Sequence, residues 1–162
     1  MAPKPEENEA LVRRFLTDVV GDGDLEGLKT LVAEDVAEHD LAFGSEPGYA
    51  EVDALGRGIL AAADVDVEIE DLVAEGDRVA VRATVSGTTM GLPTVGTATG
   101  GRFDIAHVGF YRVEDGQIAE AWSLPDTLGL VRQLEVVPEA LDSPDERNVS
   151  TNDRRRTTFD RR

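Results

Sequence analysis

The chain has 162 residues, 41% of them hydrophobic and only 5% aromatic, which suits one domain with a core of Val, Leu, Ile and Ala plus a short extension. It has no cysteine, which excludes disulfides, thiol nucleophiles and thiolate metal sites, and no apolar run of about 18 residues that would span a membrane. With 33 Asp and Glu against 16 Lys and Arg, the net charge of −17 opposes binding to phosphate backbones and argues against a nucleic-acid partner.

Residues 5–20 have helical spacing, with Leu11, Val12, Phe15, Leu16, Val19 and Val20 gathered on one face. Gly21-Asp22-Gly23-Asp24 ends that helix, and Asp24 is a natural N-cap for a second one carrying Leu25, Leu28, Leu31 and Val32. A short apolar-polar segment, 36–43, precedes the breakers at 44–48. A third helix spans about 49–63, with Val52, Leu55, Ile59 and Leu60 on one side. The period then changes to two. Val65, Val67 and Ile69 alternate with acids, Glu75-Gly76-Asp77 turns the chain, and residues 79–85 alternate again. Residues 87–101, rich in Gly and Thr, form a connection or hairpin tip. Strands follow at 103–113 and 117–124, joined by the tight-turn pair Asp115-Gly116. Pro125-Asp126 ends the last strand, and a short helix carries Leu128, Val131 and Leu134.

This order predicts an α+β domain over residues 1–137, with N-terminal helices packed on a curved antiparallel sheet and a short closing helix. Such a curved sheet makes a cone with an apolar interior, a natural small-molecule pocket. Residues 138–162 lose the apolar pattern and read as a mostly disordered charged tail. Residues 1–9 lack the apolar stretch of a secretion signal, so a cytoplasmic protein is expected. The acidic excess fits adaptation to high salt, where a Debye length of about 3 Å at 1 M screens self-repulsion. An ordinary acidic protein is the alternative.

Two stretches carry a family resemblance. The first is Asp77-Arg-Val-Ala-Val-Arg82 with Ser86-Gly87-Thr88-Thr89 and Gly91-Leu92-Pro93-Thr94. The second runs from Phe110 through Gly116, Glu120, Trp122 and Asp126 to Leu134. Together they resemble the SnoaL-like polyketide cyclase and ester cyclase group of the NTF2-like superfamily, over roughly residues 8–135. The resemblance implies a cone-shaped α+β barrel, a homodimer through the exposed sheet face, and cofactor-free intramolecular aldol cyclisation or a related proton transfer. It implies a small apolar carbonyl or ester substrate. A catalytically silent module that binds a small ligand or a protein is the other reading. The Gly- and Thr-rich connection departs from the family's usual Gly-(hydrophobic)-Pro-Pro-Thr-Gly form, which leaves the particular substrate open.

Asp126 matches the position that acts as general acid/base in relatives. After Pro125 and before a helix, it is equally a favoured N-cap. The resemblance implies that His39 points toward the cavity, where it would orient a carbonyl or relay a proton; otherwise it is a surface histidine at an acidic helix end. By strand parity His107 shares a face with Phe103, Ile105 and Tyr111, the interior side, as a catalyst or as a satisfied core residue. Trp122, the single tryptophan, lines the pocket or fills the core. Tyr49, Arg57, Tyr111 and Arg82 are further candidate polar pocket groups. Two histidines without cysteine or a His-Glu-x-x-His spacing argue against a metal site, and no glycine pattern matches a nucleotide-binding loop.

Overall fold

A computed structural model describes residues 4–40, 48–89 and 100–135. Helix α1 (Pro5–Arg14) starts with Pro at its first position, where the missing N–H costs nothing. Glu6 and Glu7 in its first turn and Arg13 and Arg14 in its last complement the helix dipole. The predicted single helix over 5–20 instead changes winding at Phe15. Phe15–Gly21 is π-helical, with the Thr17 hydroxyl donating to the Arg13 carbonyl at 3.1 Å. Helix α2 (Leu25–Leu31) is capped by Asp24, whose carboxylate accepts from the Gly27 N–H at 3.1 Å. Strand β1 (Val32–Asp40) follows directly, then α3 (Tyr49–Ala62), β2 (Ala63–Glu75), β3 (Arg78–Thr89), β4 (Arg102–Glu114), β5 (Gln117–Pro125) and α4 (Thr127–Gln133).

The five strands form one sheet in the order β1-β5-β4-β3-β2. β2 through β5 are an antiparallel meander, and β1 pairs parallel to β5. The sheet is therefore mixed rather than wholly antiparallel, and residues 32–40 are a strand that apolar alternation alone did not announce. The reason lies in the residues: a register shift between Val32 and Ala37 interrupts the pleat, and Glu38 occupies an inward position. The β4–β5 turn is as predicted, with Asp115 and Gly116 at φ 51° and 78°, the two left-handed residues that match hairpin twist. β3 runs on to Thr89, three residues into the predicted connection. The predicted boundary at 137 and the tail 138–162 lie outside the described residues.

Strand parity sorts the side chains onto two faces. Val79, Val81 and Ala83 of β3, Tyr111 and Val113 of β4, and Ile118 and Ala121 of β5 face inward. They bury against Val12, Leu16, Val19, Leu28 and Leu31 from the helices. Each such aliphatic side chain contributes about 1.5–3 kcal/mol on leaving water. At one end of the sheet Val79, Tyr111, Val113 and Ile118 are buried; toward the other end Val85, Phe103, His107 and Ser123 are partly exposed, beside buried Val65, Ile105 and Thr89. Beyond β5, the backbone of Asp104 is satisfied by the Gln133 amide, which donates to its carbonyl and accepts from its N–H, both at 2.8 Å.

Candidate active site

The partly open end of the inner face is where the sheet assembles its polar groups. His107 of β4 is in register with Pro125 of β5 and with Ala83 of β3, and its Nε2 atom is buried. One row deeper, Gly109 faces Ser123; one row deeper again, Tyr111 faces Ala121, which in turn faces Glu38 of β1. The Tyr111 hydroxyl shares a hydrogen bond with Ser123, and its ring packs edge-on against Phe15 at 5.9 Å. Desolvation first, then the negative charge of Glu38, pushes the Tyr111 hydroxyl far above its ordinary pKa, so it stays protonated and can donate. Glu38 Oε1 is itself buried. The chain leaves β1 at Asp40, β3 at Thr89 and β5 at Pro125, all at this end of the sheet.

Asp126 stands at the rim of the same end. Its backbone N–H donates to the Ala106 carbonyl at 2.9 Å, beside His107, and its carboxylate accepts from the Gly129 N–H at 2.8 Å. The N-cap role is therefore real, and the carboxylate is exposed. The Asp126 backbone thus lies beside Ala106 and His107 at one end of the sheet, with Pro125 as the cross-strand partner of His107. Tyr49 opens α3; its hydroxyl is buried without a hydrogen-bond partner among the described residues, and desolvation, with Asp53 next, raises its pKa. Arg57 instead turns to Asp53, in two bonds of 2.8 and 3.1 Å on the helix surface. Arg82 turns to Asp71 and lies on the outer face.

His39 and Trp122 do not reach the inner face. β1 places Glu38 inward, so His39, the next residue, faces outward opposite Trp122. The two rings stack at 4.9 Å and 14°. His39 Nε2 lies 3.0 Å from Glu120, whose other oxygen accepts from Arg112 at 2.9 Å. Arg112 first, then His39, holds the Glu120 carboxyl below the ordinary carboxylate range. Arg78 sits 5.7 Å over the Trp122 ring, within cation–π reach. The sequence reading missed Glu38 and Ser123. Once β1 is taken as a strand, alternation alone reveals Glu38.

A groove of about 520 Å³ lies at the same end of the sheet beside α4, where the outward-facing Asp64, Asp66, Ser86, Arg102 and Asp104 line it without a convergent catalytic pair. No group of three metal-ligating side chains occurs among the described residues, and no helix among them is long and apolar enough to cross a membrane.

Residues 10–134 match the profile of the SnoaL-like polyketide cyclases. The chain belongs to that family. Its fold is NTF2-like, and solved structures agree. A SnoaL-like protein from Jannaschia sp. CCS1 superposes with a TM-score of 0.74 at 22% identity, covering 85% of this chain and 98% of that one. IdmH from Streptomyces antibioticus, provisionally assigned as a polyketide cyclase, gives 0.67 at 28% identity over 82% and 99%. An LEH-like epoxide hydrolase from M. tuberculosis gives 0.66 at 19% identity over 82% and 92%, a likeness of fold. A search of curated proteins returns no match.

Proposed function

We propose that this SnoaL-like chain is a cofactor-free acid–base enzyme acting on a small apolar carbonyl or ester compound, by aldol-type cyclisation or a related proton transfer. The reading is supported above all by the backbone of Asp126, whose N–H bonds the Ala106 carbonyl next to His107, at the end of the sheet where β5 stops. In this scheme the Asp126 carboxylate removes a proton beside a carbonyl, and His107 donates to that carbonyl oxygen as enolate charge develops. The enolate carbon bonds to a second carbonyl carbon, and the proton returns to the resulting alkoxide. Tyr111 and Tyr49 line the substrate's path. His39 and Trp122, on the outer face, have no part in the chemistry.

The same reading makes the protein a cytoplasmic homodimer adapted to high salt. The outer face supports the dimer: Val73, Val108, Phe110 and Leu124 are exposed there, and Arg78, Arg112 and Glu120 flank them. The same face also carries the exposed acids Asp66, Glu68, Glu70, Asp71 and Glu114, so salt that screens the charge of −17 favours the meeting of two copies.

Because Asp126 is exposed and already bonded to Gly129, the silent ligand-binding module keeps a specific observation in its favour. Native mass spectrometry of gently purified protein identifies a co-purifying carbonyl compound, and Asp126→Asn then separates the readings. Asn caps a helix as well as Asp does, so the fold is retained. An enzyme loses about 10²-fold or more in kcat. A module shows no turnover to lose and keeps its affinity.

A further inference from the structure

We infer that Tyr49 is a ligand-recognition residue: its hydroxyl donates a hydrogen bond to an uncharged acceptor oxygen, a carbonyl or ester, of the bound small molecule. The inference rests on the proposed reading that the chain holds such a compound against its inner face.

Tyr49 inverts the usual arrangement of a tyrosine. The residue as a whole is partly exposed, while its hydroxyl, ordinarily the wet end, is buried without a hydrogen-bond partner among the described residues. The side chain packs against the core cluster, so its polar end is set toward the interior from the start of α3. The backbone there is anchored. The preceding Gly48 donates its N–H to the carbonyl of Val36 in β1 at 2.7 Å, and Val36 is itself buried. Asp53, one turn further along α3, does not accept from the hydroxyl, because Arg57 holds its carboxylate in two bonds of 2.8 and 3.1 Å. A buried hydroxyl without a partner has given up its bonds to water for nothing, and such groups are rare in native proteins. A phenylalanine would pack in the same place without that penalty, so the oxygen has a use only when an acceptor arrives from outside the chain. The acceptor is uncharged. The charges that reach the hydroxyl are Asp53 and Glu26 against Arg57, and Arg57 is already paired, so an anion meets net negative charge there. A carbonyl or ester oxygen takes the bond without that repulsion. Burial first, then Asp53, keeps the hydroxyl protonated at neutral pH and able to donate.

The test uses three probes of one size: acetophenone, α-methylstyrene, in which a methylene group replaces the carbonyl oxygen, and benzoate. Each is titrated by NMR into the full chain and into Tyr49→Phe at neutral pH. A neutral hydrogen bond corresponds to about fivefold in Kd. Tyr49→Phe is expected to weaken acetophenone about fivefold and to leave α-methylstyrene unchanged. In the unsubstituted protein benzoate should bind more weakly than acetophenone, a comparison that needs no variant. Without ligand, the urea midpoint of Tyr49→Phe should equal or exceed that of the unsubstituted protein, because the substitution deletes an unbonded hydroxyl. A lower midpoint overturns the inference, since it reveals a hydroxyl already satisfied within the protein or by a bound water. So does an equal effect of the substitution on the two neutral probes, benzoate binding as tightly as acetophenone, or no binding of acetophenone at millimolar concentration. The readouts are binding and stability, so the inference fails independently of catalysis: a ketone preference that depends on Tyr49 while Asp126→Asn leaves turnover intact sinks the catalytic reading alone.

Discussion

Gly109→Ala puts the inner face to its sharpest test. Gly109 is buried between His107 and Tyr111 on β4, and a Cβ built there meets the Tyr111 ring at 2.8 Å (Cε2) and its hydroxyl at 2.9 Å. Both are closer than real side chains approach, so the ring must move. It has little room, because Phe15 packs against it and Ser123 holds its hydroxyl. Overpacking of this kind costs about 1–3 kcal/mol. Against it stands the loss of unfolded-chain entropy on replacing Gly by Ala, which stabilises by about 0.4–1 kcal/mol where the backbone permits it. Gly109 is not among the positive-φ glycines, so that gain applies and the net expectation is a loss of roughly 1–2 kcal/mol. Gly58→Ala in α3 is the control: its Cβ meets nothing within 4 Å, and a helical site gains up to about 1 kcal/mol. Urea denaturation of both variants, fitted with a common slope, reads the two signs. A Gly109→Ala midpoint equal to or above that of the unsubstituted protein would falsify the placement of Tyr111 over Gly109, and with it the floor of the site.

Three further predictions follow from the rim, the outer face and the charge. Asp126→Ala should cost about 1 kcal/mol in urea denaturation through loss of the α4 cap, while Asp126→Asn stays within a few tenths; equal stabilities would show that the bond to Gly129 contributes nothing. Glu120 is more acidic in the folded chain than its ordinary value of 4.5, so its contribution to stability is present above that pH and disappears as the pH falls through the folded value. Stability curves of Glu120→Gln and the unsubstituted protein should therefore converge at acid pH and separate above 4.5, and a pH-independent offset would contradict this. Phe110→Asp adds a charge to the exposed apolar row and should yield a folded monomer by sedimentation, whereas the unsubstituted dimer should tighten as KCl screens the charge of −17. A variant dimer of unchanged affinity would place the interface elsewhere.

Much of the fold was legible because the apolar period is regular where one partner layer decides it. Val65, Val67 and Ile69 alternate, and they are inward-facing in β2. Asp115-Gly116 has one natural conformation in a hairpin, and it adopts it. The Asp24 and Asp126 caps were readable for the same reason, since a carboxylate before a helix has an N–H three residues on to accept from. What escaped the sequence was non-local. The π-helical winding from Phe15 preserves an apolar face that an α-helix would also supply, so spacing does not distinguish them. β1 escaped because a parallel partner far along the chain, β5, defines it.

That omission propagated into the site, and the way it did so bears on the chemistry. Without a strand at 32–40, nothing prevents His39 from pointing at the cavity, and a histidine beside two acids invites a catalytic role. With the strand in place, a pleat allows only one of two adjacent residues to face inward. The register Glu38↔Ala121 and Ala121↔Tyr111 chooses Glu38, because Tyr111 and Ala121 are already committed to the core. His39 is thereby assigned to Trp122 and Glu120 on the surface where a second copy would dock. One histidine and one carboxylate exchange places relative to the sequence reading, and the interior becomes less basic than it looked: His107 remains as the one inward imidazole among the described residues. Asp126 is exposed and its backbone bonds Ala106 beside His107, which is why, under the proposed function, the rim carboxylate, despite its structural bond to Gly129, is the group whose removal is expected to reduce the rate.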